Sequence, residues 1–279
     1  MAHRSAGVLL LLALGSIPAC NSGGTNQSVA CTGATTYRDG STTVLTPVRS
    51  LDGQELDTSV SVIGKRATAF VGESRTCLLG KAIVVYTPER SIGADTASLL
   101  ARPGRIQMRP VLATLPLAGR KKPCPTVDDG SSQVILCAAA TGANDILLPP
   151  SDWIQLLVGP VGLTNGDISD ASAVLPGGSF NPVGWEVRLT LTRDGAKRFQ
   201  GVTAKLACEQ SGSDRRQLAI VLDGVIESHP QMGDSVMCHV GVFGNVAQIT
   251  GNYTEREAKD LALLLRFQPL PSKFVVSAS

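Results

Sequence analysis

The stretch from Gln217 to Pro271 constrains the fold of this chain more than any other, because most of its junctions carry a local signal. Asp223 and Gly224 separate two apolar runs, LAIVL and VI. An Asp-Gly pair in that position favours a type I′ turn, since glycine tolerates positive φ. We therefore expect a β-hairpin centred on Asp223 and Gly224.

A capped helix is predicted further along the same stretch. In the sequence TERE, the hydroxyl of Thr254 and the carboxylate of Glu257 match a capping box, which satisfies amides that a helix start leaves unpaired. Apolar residues follow with the spacing of one helix face, at Ala258, Leu261, Ala262 and Leu265. Pro269 and Pro271 cannot continue a helix, so we expect this one to end near Leu265 or Arg266.

The overall composition excludes some classes of partner. The 279 residues carry a formal net charge of +2, which offers no basic field for nucleic acid. Hydrophobic residues make up 43% of the chain and aromatic residues only 4%, so it is a globular composition poor in the side chains that stack on sugars or bases. We expect protein partners and no nucleic acid.

The N-terminus has the pattern of an export signal. Residues 1–19 combine a basic start, an apolar core and small residues before Cys20, which is typical of a signal peptide. The sequence IPAC resembles a bacterial lipobox, in which Cys20 would be acylated; an ordinary signal peptidase site is the alternative. Residues 20–42, rich in Gly, Ser, Thr and Asn, predict a flexible tether. No later apolar run reaches the roughly 18 residues of a membrane-spanning helix.

Cysteine usage agrees with an exported chain. Seven cysteines are present, and setting Cys20 aside leaves an even number suited to disulfides. Many connectivities are possible, and proximity favours Cys31 with Cys77, Cys124 with Cys137, and Cys208 with Cys238. A metal site is the alternative, but no CxxC pair is present, and His229 and His239 lack finger-type spacing. We predict no metal and no cofactor.

Residues 43–112 have the predicted order β-α-β-β-α-β, which is that of a ferredoxin-like unit. We call this unit the base. Its predicted segments are a strand at 43–48, a helix at 52–71, strands at 76–79 and 82–86, a helix at 95–101 and a strand at 105–111.

The second half predicts a different unit, the head. Prolines and glycines recur through residues 113–182, where we expect a loop-rich connection. Residues 183–279 begin with an alternating strand from Trp185 to Leu191 and continue with a helix capped by Asp194. With the hairpin and the capped helix, this predicts an open sheet covered by two helices and a C-terminal strand. The fold class is therefore α+β.

No catalytic constellation accompanies this pattern. No serine stands in a G-x-S-x-G elbow, and His229 and His239 have no nucleophile motif around them. The glycines of residues 241–244 are too sparse for a phosphate-binding loop, and Glu257 has a capping role. We predict that the chain is not an enzyme.

Three pieces of the second half resemble a known family. They are LTLTRDGAKRFQGVT, LAIVLDGVIESHP and AQITGNYTEREAKDLALLL, and they resemble the first periplasmic domain of the SecD family of protein-export subunits. Likenesses extend to VSVIGKRATAF with its paired basic residues, to KAIVVYTPE, and to IQMRPVL with its Arg-Pro pair. The resemblance implies a base, a head and a final strand at 273–276. RFQPLP departs from the family's glycine-containing LRxGxLP motif.

The resemblance also implies a function. We expect a non-catalytic lipoprotein, lipid-anchored through Cys20 to the outer face of the cytoplasmic membrane, that binds exported polypeptides or subunits of the export channel. The alternative is an envelope structural or ligand-binding lipoprotein that reuses the scaffold with no export role, because a fold does not fix a function.

Overall fold

The computed structural model describes residues 31, 40–88, 92–115, 133–138, 154–175 and 184–278. The signal peptide, Cys20, Cys124 and most of the tether lie outside this part of the chain. The described elements are, in chain order, β1 (Ser41–Pro47), α1 (Gly53–Val71), β2 (Arg75–Leu79), β3 (Ala82–Thr87), α2 (Ala94–Ala101), β4 (Ile106–Leu115), β5 (Val134–Ala138), β6 (Ile154–Val158), β7 (Leu163–Thr164), β8 (Ile168–Val174), β9 (Trp185–Leu191), α3 (Arg193–Leu206), β10 (Leu218–Leu222), β11 (Val225–Ser228), β12 (Val246–Tyr253), α4 (Glu255–Arg266) and β13 (Phe274–Ala278).

The base is a four-stranded antiparallel sheet with the order β13-β1-β3-β2, and α1 and α2 pack on one face of it. This is the ferredoxin-like arrangement, in which the last strand of the unit pairs with the first. The core between sheet and helices is closed by fully or nearly fully buried apolar side chains, among them Leu45, Ile63, Ile83, Val85, Leu100, Leu270 and Phe274.

The composition of the base differs from the prediction in one strand. Residues 105–111 were expected to supply its last strand, but β4 pairs with β6, β7 and β10 instead. β13, which the sequence predicts as the C-terminal strand of the head, takes that place and pairs with β1 from Thr43 to Pro47. Alternation of apolar residues identifies a strand without identifying its partner, so the prediction assigned residues 105–111 to the wrong sheet.

A small barrel lies beside the base. β10, β11, β5, β6 and β4 follow one another in this sheet, and β4 also pairs with β10, which closes the ring. Its interior is apolar and is filled by Val111, Leu136, Leu156, Val158, Ala219, Val221 and Ile226. The segment 113–182 is therefore not only a connection, because it supplies β5 and β6. Both are short apolar runs without alternation, which prolines and glycines around them obscured.

The head is a three-stranded antiparallel sheet with the order β12-β9-β8. α4 packs on β8 and β9, and α3 contacts β9 and β7, so an open sheet with two helices is present as predicted. The β10–β11 hairpin and the C-terminal strand were wrongly expected in it: the hairpin belongs to the barrel, and β13 belongs to the base. Its core is continuous with the outer side of the barrel, where Ile106, Met108 and Ile220 contribute to the same cluster as the head residues. In the described part of the chain, no helix is long and apolar enough to cross a membrane.

Candidate functional site

A groove of about 470 Å³ lies beside β12 at the outer edge of the head. Four of its lining residues belong to β12 itself, and the others come from β9, α3 and the loop before β12. The lining is formed by Arg188, Phe199, Val242, Val246, Ala247, Gln248 and Thr250. We call this feature the β12 groove.

The groove follows a strand edge that has no partner among the described residues. β12 pairs with β9 on one side only. Ala247 and Ile249 are buried in the head core, whereas Val246, Gln248 and Thr250 are exposed. An unpaired edge presents a row of main-chain amides and carbonyls, which is the template that an extended peptide uses to add a strand.

Apolar side chains are exposed around the same edge. Phe243 is 67% exposed, and Val246 is 45% exposed. Single exposed apolar residues are ordinary, but Val246 lines the groove and Phe243 directly follows Val242, which lines it too. Among the described residues that line the groove, none carries a carboxylate, imidazole or thiol.

The wall of the groove is a loop, residues 229–245, that is docked on α3. The buried hydroxyl of Thr203 accepts a hydrogen bond from the Val242 amide at 2.9 Å, and Gln200 Nε2 donates to the Val240 carbonyl at 3.0 Å. Gly241 has φ 73°, and a Cβ there would overlap the Gln200 carbonyl oxygen. Only glycine fits at this contact, so the loop lies directly against the helix backbone.

Arg216 holds the far end of this loop. Its side chain is buried and its guanidinium donates to main-chain carbonyls at 2.6 to 3.3 Å. The acceptors are Ala207, Glu209, Met232, Gly233 and Val236. One planar cation thus satisfies carbonyls on both sides of the Cys208–Cys238 disulfide, which also joins the end of α3 to the loop.

Comparison with known proteins shows which family the second half of the chain resembles. Residues 148–272 match the family model described as "SecDF, P1 head subdomain". The protein translocase subunit SecD of Streptomyces coelicolor is 31% identical over 122 residues, which is 44% of this chain and 20% of that protein. SecD of Acidaminococcus fermentans is 37% identical over 114 residues, 41% of this chain and 23% of that protein.

The chain is SecD-like. Its matched segment spans about a fifth of the length of these curated relatives. SecDF of Thermus thermophilus is 35% identical over 126 residues, 45% of this chain and 14% of that protein.

Solved structures extend the likeness to the whole fold. SecDF in its super-membrane-facing form aligns with a TM-score of 0.59 and 24% identity, over 91% of this chain and 32% of the other. A second structure, described as a membrane component SecDF that enhances protein export, aligns with a TM-score of 0.58 and 24% identity, over 85% of this chain and 97% of the other. The SecD-like fold thus includes the base as well as the head.

The residues singled out by the sequence fall outside the groove. Asp223 and Gly224 form the tip of the β10–β11 hairpin with φ of 53° and 84°, as a type I′ turn requires. The Asp223 carboxylate also accepts from the Arg105 amide at 2.8 Å and from Arg102 Nε at 3.2 Å. The turn therefore fastens the SecD-like barrel to the segment that leaves the base.

Thr254 and Glu257 form the capping box at the start of α4. The Thr254 amide donates to Glu257 Oε2 at 2.8 Å, and the Glu257 amide donates to Thr254 Oγ1 at 3.3 Å. Donation from the Thr254 backbone and side chain lowers the pKa of the Glu257 carboxyl. These residues have a local structural role in the SecD-like head.

The cysteine pairs lie in two places. The Cys31–Cys77 disulfide fixes Cys31 to β2, where its amide also donates to the Leu78 carbonyl at 3.1 Å. The Cys208–Cys238 disulfide lies at the end of α3. Both are pairs that proximity favours. Cys137 is disulfide-bonded as well, and its expected partner, Cys124, lies outside the described residues.

Arg66 of VSVIGKRATAF and Arg109 of IQMRPVL are fully buried. Arg66 donates through Nη1 to the Arg102 carbonyl and through Nη2 to the Pro103 carbonyl, so α1 is tied to the segment that leaves the base. Burial lowers the pKa of Arg66 to about 10. Arg109 Nε donates to the Gly159 carbonyl at 2.7 Å.

The groove itself was missed by the sequence analysis, although one signal was present. Residues 246–250 alternate between polar or exposed and buried positions, which marks a strand with one solvated face. That β12 lies at an edge depends on which strands pair, and alternation carries no such information.

Proposed function

We propose that this SecD-like chain is a non-catalytic extracytoplasmic module that binds extended segments of exported polypeptides in the β12 groove. The observation that carries the proposal is the unpaired edge of β12 with apolar residues beside it, in a fold similar to a periplasmic domain of an export component. The relatives are protein translocase subunits, which favours a role in export.

Strand addition suits this class of ligand. Chains in transit are unfolded and share no sequence, whereas their main chains are chemically alike. A strand edge binds through main-chain hydrogen bonds, and a shallow apolar wall accepts alternate side chains with little selection. Ordering a flexible segment costs conformational entropy, so we expect weak and reversible binding.

The proposal is tested by site-specific photocrosslinking in cells that are exporting an arrested precursor. A photoreactive residue at position 246 should crosslink to the precursor, because Val246 lines the groove. The same residue at position 275 is the matched control, since Val275 is a similarly exposed valine on the base. Equal labelling from both positions, or labelling from neither, contradicts the proposal.

A binding measurement separates the groove from the rest of the surface. Val246→Asp places a carboxylate against the apolar wall and should weaken binding of an unfolded model polypeptide at least about tenfold, whereas Val275→Asp should not. If crosslinks from position 246 go only to channel subunits, the partner is the export machinery. Unchanged secretion kinetics after deletion would favour the alternative of an envelope scaffold without an export role.

We further propose that Cys20 carries the lipid that holds the module at the membrane, from the lipobox-like sequence IPAC. Cys20→Ala should move the protein from the membrane fraction to the soluble extracytoplasmic fraction. Ser22→Ala, two residues away, should leave it in the membrane fraction. Retention of the Cys20→Ala protein in the membrane fraction would count against the anchor.

A further inference from the structure

Two sulfurs and an imidazole meet at the end of α3. Cys208 Sγ, Cys238 Sγ and a ring nitrogen of His239 all lie within 4.8 Å of one another, and all three residues are exposed. His239 Nδ1 is 3.9 Å from Cys208 Sγ. The backbone of His239 has φ 64°, a left-handed conformation that turns this ring beside the sulfurs.

The scaffold that brings these groups together does not depend on the disulfide alone. The Arg216 guanidinium binds carbonyls on both sides of the cluster, at Ala207 and at Val236. The His239 amide donates to the Ala204 carbonyl of α3 at 3.3 Å, and the Gly241 amide donates to the Met237 carbonyl at 3.0 Å. With the disulfide opened, the two thiols and the imidazole therefore remain neighbours.

The local field favours a cation. Cys208 follows the last residues of α3, where the helix macrodipole is negative, and its sulfur is 3.3 Å from the Ala204 carbonyl oxygen. Of the basic residues nearby, Arg215 bonds Glu209 at 3.2 Å and Arg216 is surrounded by carbonyl oxygens, whereas Lys205 lies in the last turn of α3. Thiolate and imidazole ligands are those that Zn²⁺ prefers.

We propose that reduction of the Cys208–Cys238 disulfide converts this cluster into a Cys₂His site for a thiophilic divalent cation, with Zn²⁺ as the test ion. An external dithiol supplies two electrons and two protons, becomes a disulfide itself, and leaves two thiols on the chain. Binding of Zn²⁺ then releases both thiol protons, and the neutral His239 imidazole donates its Nδ1 lone pair. Water completes the tetrahedral shell.

The sequence alone did not predict this site, because its ligands do not follow finger-type spacing. Cys208 and Cys238 are 30 residues apart, and only docking of the loop on α3 brings them together.

The experiment compares metal binding by the oxidised and the reduced chain. The chain is reduced with a phosphine, freed of reductant under inert gas, and titrated with Zn²⁺ against a chromophoric chelator. The reduced chain should bind one Zn²⁺ more, per chain, than the equally reduced Cys208→Ser/Cys238→Ser double variant, which corrects for the other thiols. The oxidised chain should bind none at this site. Co²⁺ in place of Zn²⁺ should give more thiolate-to-metal absorption with the reduced chain than with the reduced double variant.

A histidine pair tests the third ligand. His239→Asn removes the imidazole with a residue that tolerates left-handed backbone, and should weaken binding at least about tenfold. His229→Asn is the control, because that ring contacts Gln217 and lies outside the cluster. Circular dichroism of each reduced variant checks that it is folded. Equal Zn²⁺ binding by the reduced chain and the folded double variant overturns the site, and equal affinity for His239→Asn overturns the Cys₂His ligand set.

Discussion

At the residue scale, buried arginines hold separate segments of this chain together. Arg66, Arg109 and Arg216 each donate to main-chain carbonyls of segments distant in sequence or irregular in structure. Arginine suits this role because its guanidinium has five donors in a fixed plane. The sequence gives a hint at Arg66, which falls on the apolar face of α1 with Ile63 and Ala67, whereas Lys65 is exposed. It gives no hint of which carbonyls are bound.

Arg216→Lys should destabilise the chain by about 2–4 kcal/mol, because one ammonium cannot reach the carbonyls that the guanidinium binds and leaves several of them unpaired. Denaturant unfolding measures this change. Arg215→Lys is the matched control, since Arg215 is an exposed neighbour in a surface ion pair, and should change stability by less than about 0.5 kcal/mol. Similar losses for both variants would show that Arg216 does not hold the loop.

We expect the ionised carboxylate of Glu227 to lower the free energy of unfolding at neutral pH. Burial raises the pKa of its carboxyl above the ordinary 4.5, nearby Asp223 raises it further, and Arg102 opposes this rise. Below the ordinary pKa both the folded and unfolded states are protonated and no penalty exists. As the pH rises through the raised pKa, the folded state must bury a charge and stability falls.

Glu227→Gln should therefore raise the free energy of unfolding at neutral pH, and the gain should shrink as the pH falls toward the ordinary carboxyl pKa. Denaturant titrations across this pH range give both values. Glu209→Gln, at an exposed ion pair, should change stability by less than about 0.5 kcal/mol throughout. A gain for Glu227→Gln that does not depend on pH would contradict the burial argument.

At the element scale, most predictions that rest on local chemistry hold and predictions that rest on strand pairing do not. The exception is the start of α3, which is capped by Thr192 and not by Asp194. The Asp223-Gly224 turn and the Thr254 cap form as predicted, because each is determined within four residues. β5 and β6 were read as part of a connection, and the partners of β4 were misassigned. Short buried strands lack a distinctive period, and pairing between distant strands leaves no local signal.

Two glycine-to-alanine substitutions test the β10–β11 turn and helix α3. One is expected to destabilise the protein and the other to stabilise it. Gly224→Ala should cost at least about 1 kcal/mol, because its φ of 84° is left-handed and a Cβ is strained there. Gly201→Ala should add roughly 0.5–1 kcal/mol, because this glycine lies in α3 with nothing within 4 Å of a built Cβ. Denaturant unfolding compares the two variants. A stabilising Gly224→Ala would argue against the type I′ hairpin.

At the scale of the whole molecule, the base is assembled from both ends of the described chain. β1 pairs with β13, and everything from β4 to α4 lies between them in sequence. The base therefore completes its sheet only after the barrel and head have brought β13 back. The sequence predicted the fold class and the two subdomains, but its domain boundary could not show a unit that is discontinuous along the chain.

Phe274→Ala should destabilise the base by about 3–5 kcal/mol, because this side chain is 2% exposed and seals the core beneath the last strand. Val275→Ala, the next residue of β13 and 59% exposed, should cost less than about 0.5 kcal/mol. Hydrogen exchange locates the effect: amides of β1 and β3 should lose protection before those of β9. Equal costs at the two positions would place β13 outside the base core.

The Cys31–Cys77 disulfide determines how a pull on the chain is transmitted. Tension applied before Cys31 passes through the covalent bond directly to β2, and the 46-residue separation between the two cysteines carries no load. β1 and α1 lie inside that bypass, so tension does not run along their backbone while the bond is closed. Reduction would move the load onto β1, whose hydrogen bonds to β3 and β13 would then resist it. While it is closed, the disulfide therefore keeps tension that is applied before Cys31 from running along the backbone of β1 and α1.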